Sequence, residues 1–211
     1  MIDVQLSSNQ NILIGCVMKI LYGAKVRAVT LVVALLFGIT GKADESLDLN
    51  LNEGKEIIQA FMGNLQGVLQ SRMKSGGPVS AIDACNTIAP QLSGAYSETS
   101  AWQVGRTSLK VRNSENVPDA WEKVALEEFD ARKVMGEDPM QIVKTEVLEE
   151  NGQQVFRMMK AIPTGEVCTV CHGSNIAEPV AAKLDELYPN DQARGFEVGD
   201  LRGAFSLKRV L

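Results

Sequence analysis

Aromatic side chains and histidine are scarce in this chain. Of its 211 residues, 5% are Phe, Trp or Tyr, and there is one histidine. With so few aromatic rings, large side chains can fill only a small part of a hydrophobic core. A bound cofactor would supply part of that apolar volume, although Leu, Val, Ile and Met can do so as well.

Clustered basic residues are also absent. The chain has 21 Lys and Arg against 26 Asp and Glu, a net charge of −5. Because nucleic-acid binding needs a clustered positive face that neutralises phosphates, we expect no nucleic-acid partner. With 45% hydrophobic residues, 18 Gly and 7 Pro, the composition is that of a globular protein and excludes collagen-like or mostly disordered chains. The length predicts one domain, or two small ones.

The N-terminal region has the pattern of a secretory signal peptide. Residues 28–39 are uncharged and mostly apolar, too short a run for a comfortable bilayer span, and Gly41-Lys42-Ala43 follows them. The basic residues before the run are Lys19, Lys25 and Arg27. We therefore predict a signal peptide at 1–43, cleavage after Ala43, and an exported, periplasmic domain at 44–211.

Three features of this region leave alternatives open. Met18-Lys19 opens the basic segment directly, which favours Met18 over Met1 as the true start. Leu13-Ile14-Gly15-Cys16 resembles a lipoprotein signal that would place a lipid on Cys16, although the basic residues come after it. If 28–39 is not removed, it would anchor the protein to the membrane, and only then do we expect membrane association.

Hydrophobic periodicity and turn residues predict an α+β fold, in which helices come first and an antiparallel sheet follows. Gly76-Gly77-Pro78 should separate the first two helices, and Asn151-Gly152 is a strong signal for a β-hairpin. On the second helix, Ile82, Cys85 and Ala89 share one face. The predicted helices are 53–74, 78–92, 118–135 and 178–187, and the predicted strands are 102–112, 142–148, 154–161 and 203–210.

One motif predicts specific chemistry. Cys168-Thr169-Val170-Cys171-His172 has the C-x-x-C-H pattern of covalent c-type haem attachment. Two thiols at this spacing add to the two vinyl groups at one edge of the macrocycle, and the next residue is then the proximal iron ligand. The motif lies between Pro163-Thr164-Gly165 and Gly173, in a chain predicted to be exported, and His172 is the single histidine. We therefore predict one covalently bound haem c.

Other uses of these thiols can be compared with haem attachment. Cys85, Cys168, Cys171 and His172 would just complete a Cys3His zinc site. A thioredoxin-like pair would need a βαβ context, which the pattern does not show. A plain disulfide between Cys168 and Cys171 would leave the adjacent histidine unexplained.

Cys85 is left over once two thiols are used by the haem. It is either a small buried hydrophobe of its helix or, as a thiolate, the second axial ligand of the iron. Methionine is the rival sulfur ligand, and Met62 and Met158 are the methionines most expected to face inward. Spacing alone does not choose between them.

Seven segments occur in the order that characterises a known family. They are residues 81–86, 104–113, 118–122, 156–163, 168–173, 188–189 and 199–206. Together they resemble the PAS-like, single-haem c-type cytochrome family, whose members are stand-alone exported proteins or sensor domains of bacterial signalling proteins. The resemblance covers about residues 50–208. It implies a PAS-like antiparallel sheet with N-terminal helices, holding one haem with His172 and the Cys85 thiolate as axial ligands.

Several further residues are candidates for contacts with the haem. The propionates need positive groups, and the resemblance places basic strand residues near the pocket, although solvated strand faces are the more usual position of such residues. The candidates are Arg106, Lys110, Arg112, Arg157 and Lys160. Trp121 would pack on the macrocycle or, alternatively, anchor its helix to the sheet.

Three functional classes are compatible with this sequence. The first is a redox or gas sensor and the second an electron-transfer cytochrome, with a small gaseous ligand or a redox protein as partner. No kinase or cyclase domain follows in this sequence, so we expect a stand-alone member without a direct signalling output. The third class, a peroxidase-like enzyme, is disfavoured because the single histidine is already used as a ligand. A homodimer is left open.

Overall fold

The computed structural model describes residues 10–211, with side chains from Glu45 onward except Ala84. The described residues divide into two compact units between Leu49 and Asn50. The predicted signal peptide, with its start, lipidation and anchor alternatives, lies outside the residues whose side chains are described. Within the described part of the chain, no helix combines the length and hydrophobicity needed to cross a membrane.

Helix α1 spans Gln10–Thr99, and its backbone leaves the helical conformation at Gly77. The predicted break at 76–78 is therefore present, but the helix on its far side continues beyond the predicted end at residue 92. The last turns of this helix cover one edge of the sheet. There the Ser97 hydroxyl accepts a hydrogen bond from the Val104 N–H at 3.0 Å. The Ser93 hydroxyl donates to the Val104 carbonyl.

A four-stranded antiparallel sheet confirms the predicted α+β class. Strand β2 turns into β3 through Asn151 and Gly152, which both have positive φ (53° and 77°), as the hairpin signal predicts. The spatial order is β1-β4-β3-β2. The strands are β1 (Gln103–Thr107), β2 (Val143–Glu150), β3 (Gln153–Pro163) and β4 (Leu201–Val210).

Each face of the sheet is covered by a helix. On one face, Phe205 makes an edge-on contact with Phe61 of α1, with ring centroids 5.5 Å apart. On the other face, Phe129 of α2 (Ala120–Val134) joins a buried cluster that includes Met159 and Ala204. Adjacent strand residues alternate between these faces because successive side chains point to opposite sides of a strand.

Two further helices follow β3. Helix α3 spans Glu166–His172, and α4 spans Glu178–Leu187, as predicted for 178–187. A 3-10 turn, Ser114–Asn116, lies between β1 and α2. Strand β1 is shorter than the predicted 102–112, because the Ser108 hydroxyl binds the Arg202 carbonyl at 2.7 Å and the Lys110 N–H at 3.2 Å, which turns the chain away from the sheet.

Candidate functional site

The C-x-x-C-H motif lies on the short helix α3 rather than on an open loop. Cys168 and Cys171 are three residues apart, so they lie one helical turn apart on the same face. Gly173 ends the helix, and a Cβ at this position would lie 2.6 Å from the Thr169 carbonyl oxygen. A glycine directly after the histidine is therefore required by close packing.

Three thiols approach one another in this region. Cys85 of α1 and Cys168 and Cys171 of α3 are all free; Cys168 acts to raise the pKa of Cys85, and Cys85 and Cys168 both act to raise the pKa of Cys171. Burial raises the pKa of the Cys85 and Cys171 thiols, and this effect is opposed at Cys85 by Arg106 and Arg112 and at Cys171 by Arg112. Cys171 also packs against an apolar cluster formed by Ile82, Val180, Leu184 and Tyr188.

His172 is held by backbone groups of the loop that precedes β4. Its Nδ1–H donates to the Ala193 carbonyl at 2.8 Å, and its own carbonyl accepts the Phe196 N–H at 2.9 Å. Burial, together with the positive charges of Arg202 and Arg112, lowers the pKa of His172 well below its usual value. The imidazole is therefore neutral, and with Nδ1 engaged, Nε2 is the nitrogen that carries the lone pair.

Three arginines give this region an excess of positive charge. Burial and the proximity of Arg112 and Arg106 lower the pKa of Arg202 to about 10. Arg112 is paired with the buried Asp191, but among the described residues neither Arg106 nor Arg202 forms an ion pair. Half-buried cations without an ion-pair partner favour an anionic group beside them.

Arg202 lies directly against the histidine. Its Nε is 3.1 Å from Nδ1 and 3.4 Å from Nε2 of His172, and its guanidinium is 5.4 Å from the centroid of the Phe196 ring. Nearly equal distances to both ring nitrogens place the guanidinium beside the ring, not in line with one lone pair. Its Nη1 donates to the Ser108 hydroxyl at 3.0 Å.

The structure brings together some of the predicted site residues. Cys85, Cys168, Cys171, His172, Arg106 and Arg112 share this region, whereas three others do not join them. Arg157 lies on the α2 face of the sheet, where its Nη2 donates to Asp119 at 2.5 Å and its guanidinium is 4.5 Å from the Trp121 ring centroid. Trp121 donates to Glu146 at 2.8 Å, and Lys160 donates to the Met140 carbonyl at 2.6 Å.

The alternative zinc site receives no geometric support. Among the residues that the structure describes, no three His, Cys, Asp or Glu side chains converge as metal ligands would. Met158, the rival sulfur ligand, is fully buried, and its Sδ lies only 2.8 Å from where a Cβ on Gly54 would be. Met62 is half-buried on α1.

A surface cleft lies apart from the thiols. It has a volume of about 500 Å³ and is bounded by the end of α1, strand β1 and the start of α2. Arg106, Arg157 and Lys208 are among its lining residues, whereas the cysteines and His172 are not. The cleft therefore reaches the residues around the motif at Arg106 but not at the thiols.

Sequence reasoning missed Arg202, Asp191 and Ala193. Arg202 falls within the segment 199–206 that carries the family resemblance, and this was the one available signal for it. Asp191 and Ala193 lie in an irregular loop, and their roles depend on contacts with residues far away in sequence. No local pattern identifies such residues.

Comparison with known proteins identifies the family of the chain. The model of the Tll0287-like family matches residues 43–209. The chain belongs to the Tll0287-like family. A structure described as the cyanobacterial haem protein Tll0287 shares its fold, with a TM-score of 0.59 and 24% sequence identity over 75% of this chain and 92% of that one. No curated protein matches the chain.

Proposed function

We propose that this member of the Tll0287-like family is an exported, single-haem c-type cytochrome of PAS-like fold. Its haem would be attached through Cys168 and Cys171. One observation carries the proposal. The two free thiols share a face of α3, and the adjacent histidine is neutral with its Nδ1–H donated to Ala193, which leaves Nε2 for iron. The haem protein of the same fold supports this proposal.

The residues around the motif fit a haem. Apolar side chains beside Cys171 suit a macrocycle, and the unpaired guanidiniums of Arg106 and Arg202 suit its propionates. His172 and the Cys85 thiolate would be the axial ligands. Bound haem would supply a one-electron couple and, if an axial ligand leaves, a position for a small gas.

We propose a redox role rather than an enzymatic one. The single histidine is used as a ligand in this proposal, so it is not free for acid–base catalysis. Redox or gas sensing and electron transfer use the same site and differ in whether Cys85 stays on the iron in both redox states. A carrier favours unchanged ligation, whereas a sensor can use loss of the thiolate as its switch. The partner is accordingly a redox protein or a small gas.

Covalent attachment is tested by denaturing gels stained for haem, after expression in a host that attaches c-type haem. We expect a stained band near the mass of the mature chain. Cys168→Ala and Cys171→Ala should each weaken the band, and the double variant should abolish it, because each thiol forms one thioether. Cys85→Ala is the matched control and should keep full staining, since Cys85 forms no thioether.

Two results would contradict the proposed covalent haem. If acidified organic solvent extracts all haem from the wild-type protein, the attachment is not covalent. If the protein as purified binds stoichiometric zinc and no haem, the alternative Cys3His site is correct instead.

A further inference from the structure

A buried ion pair, Arg112–Asp191, holds the backbone of Ala193, whose carbonyl is hydrogen-bonded to His172. We propose that this pair positions His172 and tunes its strength as an iron ligand through the Ala193 carbonyl. The four residues Arg112, Asp191, Ala193 and His172 together form what we call the Ala193 clamp. The proposal rests on the proposed function, because it concerns His172 as an iron ligand.

Arg112 joins the motif to the loop that follows α4. Its Nε donates to Asp191 Oδ1 at 3.0 Å, and its Nη2 donates to the Cys171 carbonyl at 2.6 Å and to the Ala193 carbonyl at 3.1 Å. Its side chain is 11% exposed and that of Asp191 is 1% exposed. A planar guanidinium with several fixed donors suits this arrangement, which a lysine ammonium on a flexible stem would reproduce only in part.

Both backbone polar groups of Ala193 are held. Its N–H donates to Asp191 Oδ1 at 2.9 Å, and its carbonyl accepts from both Arg112 and His172. Ala193 itself is fully buried. Because one oxygen serves as acceptor for the cation and for the imidazole N–H, the two donors compete for its electron density.

This competition sets the sign of the effect on the iron ligand. A strong acceptor at Nδ1–H pushes electron density onto the imidazole and makes Nε2 a better ligand for ferric iron. The positive charge of Arg112 weakens the Ala193 oxygen as an acceptor, and the negative charge of Asp191 moderates Arg112. Removing Arg112 should therefore lower the reduction potential, whereas neutralising Asp191 should raise it.

The first test measures the potential of the holoprotein. Arg112→Gln should lower the potential and Asp191→Asn should raise it. We expect each variant to change the one-electron equilibrium about tenfold, which corresponds to a shift of about 59 mV. Arg194→Gln is the matched control, because Arg194 also pairs with Asp191, at 2.8 Å, but forms no hydrogen bond to the Ala193 or Cys171 carbonyl. It should shift the potential much less. Shifts of the same sign in Arg112→Gln and Asp191→Asn, or shifts no larger than the control, would overturn the proposal.

The second test works with or without haem. Because the chain has one histidine, 15N-labelled protein gives a single imidazole spin system, recorded as purified or in the reduced state. We expect an Nδ1–H proton that exchanges slowly with solvent in the wild type and about tenfold faster in Asp191→Asn, because the Ala193 carbonyl beside an unmoderated Arg112 is a weaker acceptor and the hydrogen bond to it loosens. Arg194→Gln should keep the wild-type rate. Unchanged exchange in Asp191→Asn would contradict the clamp.

Failure of the two proposals can be told apart. Wild-type protein that contains no haem overturns the proposed function, while the exchange measurement still decides whether the Ala193 clamp holds the imidazole. Wild-type protein that contains haem, with unchanged potentials and exchange rates in the variants, overturns the clamp and leaves the proposed function standing. If Arg112→Gln does not fold, Asp191→Asn against Arg194→Gln decides by the sign of the shift.

Discussion

The face of the sheet on which an arginine lies determines which charged groups surround it. Arg106 pairs with Phe205 across β1 and β4, whereas Arg157 pairs with Lys208 across β3 and β4. Phe205 and Lys208 are three residues apart on one strand, so the two arginines lie on opposite faces. Arg157 is neutralised by carboxylates on the α2 face, and Arg106 lies near the thiol of Cys85.

Cys85 is the residue on which the ligation proposal depends. If its thiolate is the second axial ligand, Cys85→Ala should change the ferric EPR and optical spectra. It should also raise the potential by more than the ~59 mV of a tenfold change, because an anionic ligand stabilises ferric iron. Met62→Ala is the control and should leave both unchanged, and Met158→Ala tests the rival buried sulfur. Identical spectra and potentials for wild type and Cys85→Ala would mean that Cys85 only packs.

Helix α2 shows how one end of an element is fixed by local chemistry and a distant charge. The Asp119 side chain accepts the Glu122 N–H at 2.8 Å, and Glu122 accepts the Asp119 N–H at 2.9 Å, a capping box. Arg157 of β3 binds the same Asp119 carboxylate. The helix start is thus tied to the sheet at the edge of the core cluster that Phe129 occupies.

The stability contribution of this cap can be measured. Asp119→Ala should lower the free energy of unfolding by about 1–2 kcal/mol, and Asp119→Asn by less, because asparagine also caps helices. Glu127→Ala on the exposed side of α2 is the control and should change it by no more than about 0.5 kcal/mol. Chemical denaturation measures all three, and an Asp119→Ala value within the error of the control would show that the cap does not stabilise α2.

The same cap predicts a pH dependence. Burial alone would raise the pKa of Asp119, but hydrogen bonds from Arg157 and the Glu122 N–H outweigh burial and lower it. A carboxylate with a lowered folded-state pKa stabilises the protein above its unfolded-state pKa, and this stabilisation is lost as the pH falls through the folded-state value. The difference between wild type and Asp119→Ala should therefore narrow below about pH 4.

At the scale of the whole molecule, the open prediction is export. The basic, apolar and small residues at 19–43 predict cleavage after Ala43. We expect periplasmic protein whose N-terminal sequence begins at Asp44. A protein that begins at Met1 or Met18 and stays with the membrane fraction would show that 28–39 is an anchor.

The sequence by itself determined the features whose physical cause is local. The C-x-x-C-H spacing, the Asn-Gly hairpin, the break before Pro78 and helix α4 each depend on neighbouring residues, and the covalent chemistry predicted for Cys168 and Cys171 needs no distant contact. Only the tertiary structure decided which charges surround His172. Arg157 and Lys160 were equally reasonable candidates on sequence, but strand alternation and partners from distant segments directed them elsewhere. Arg202 and the Arg112–Asp191 pair reach the histidine because β4 and the loop before it pack against α3, and no local pattern encodes that packing.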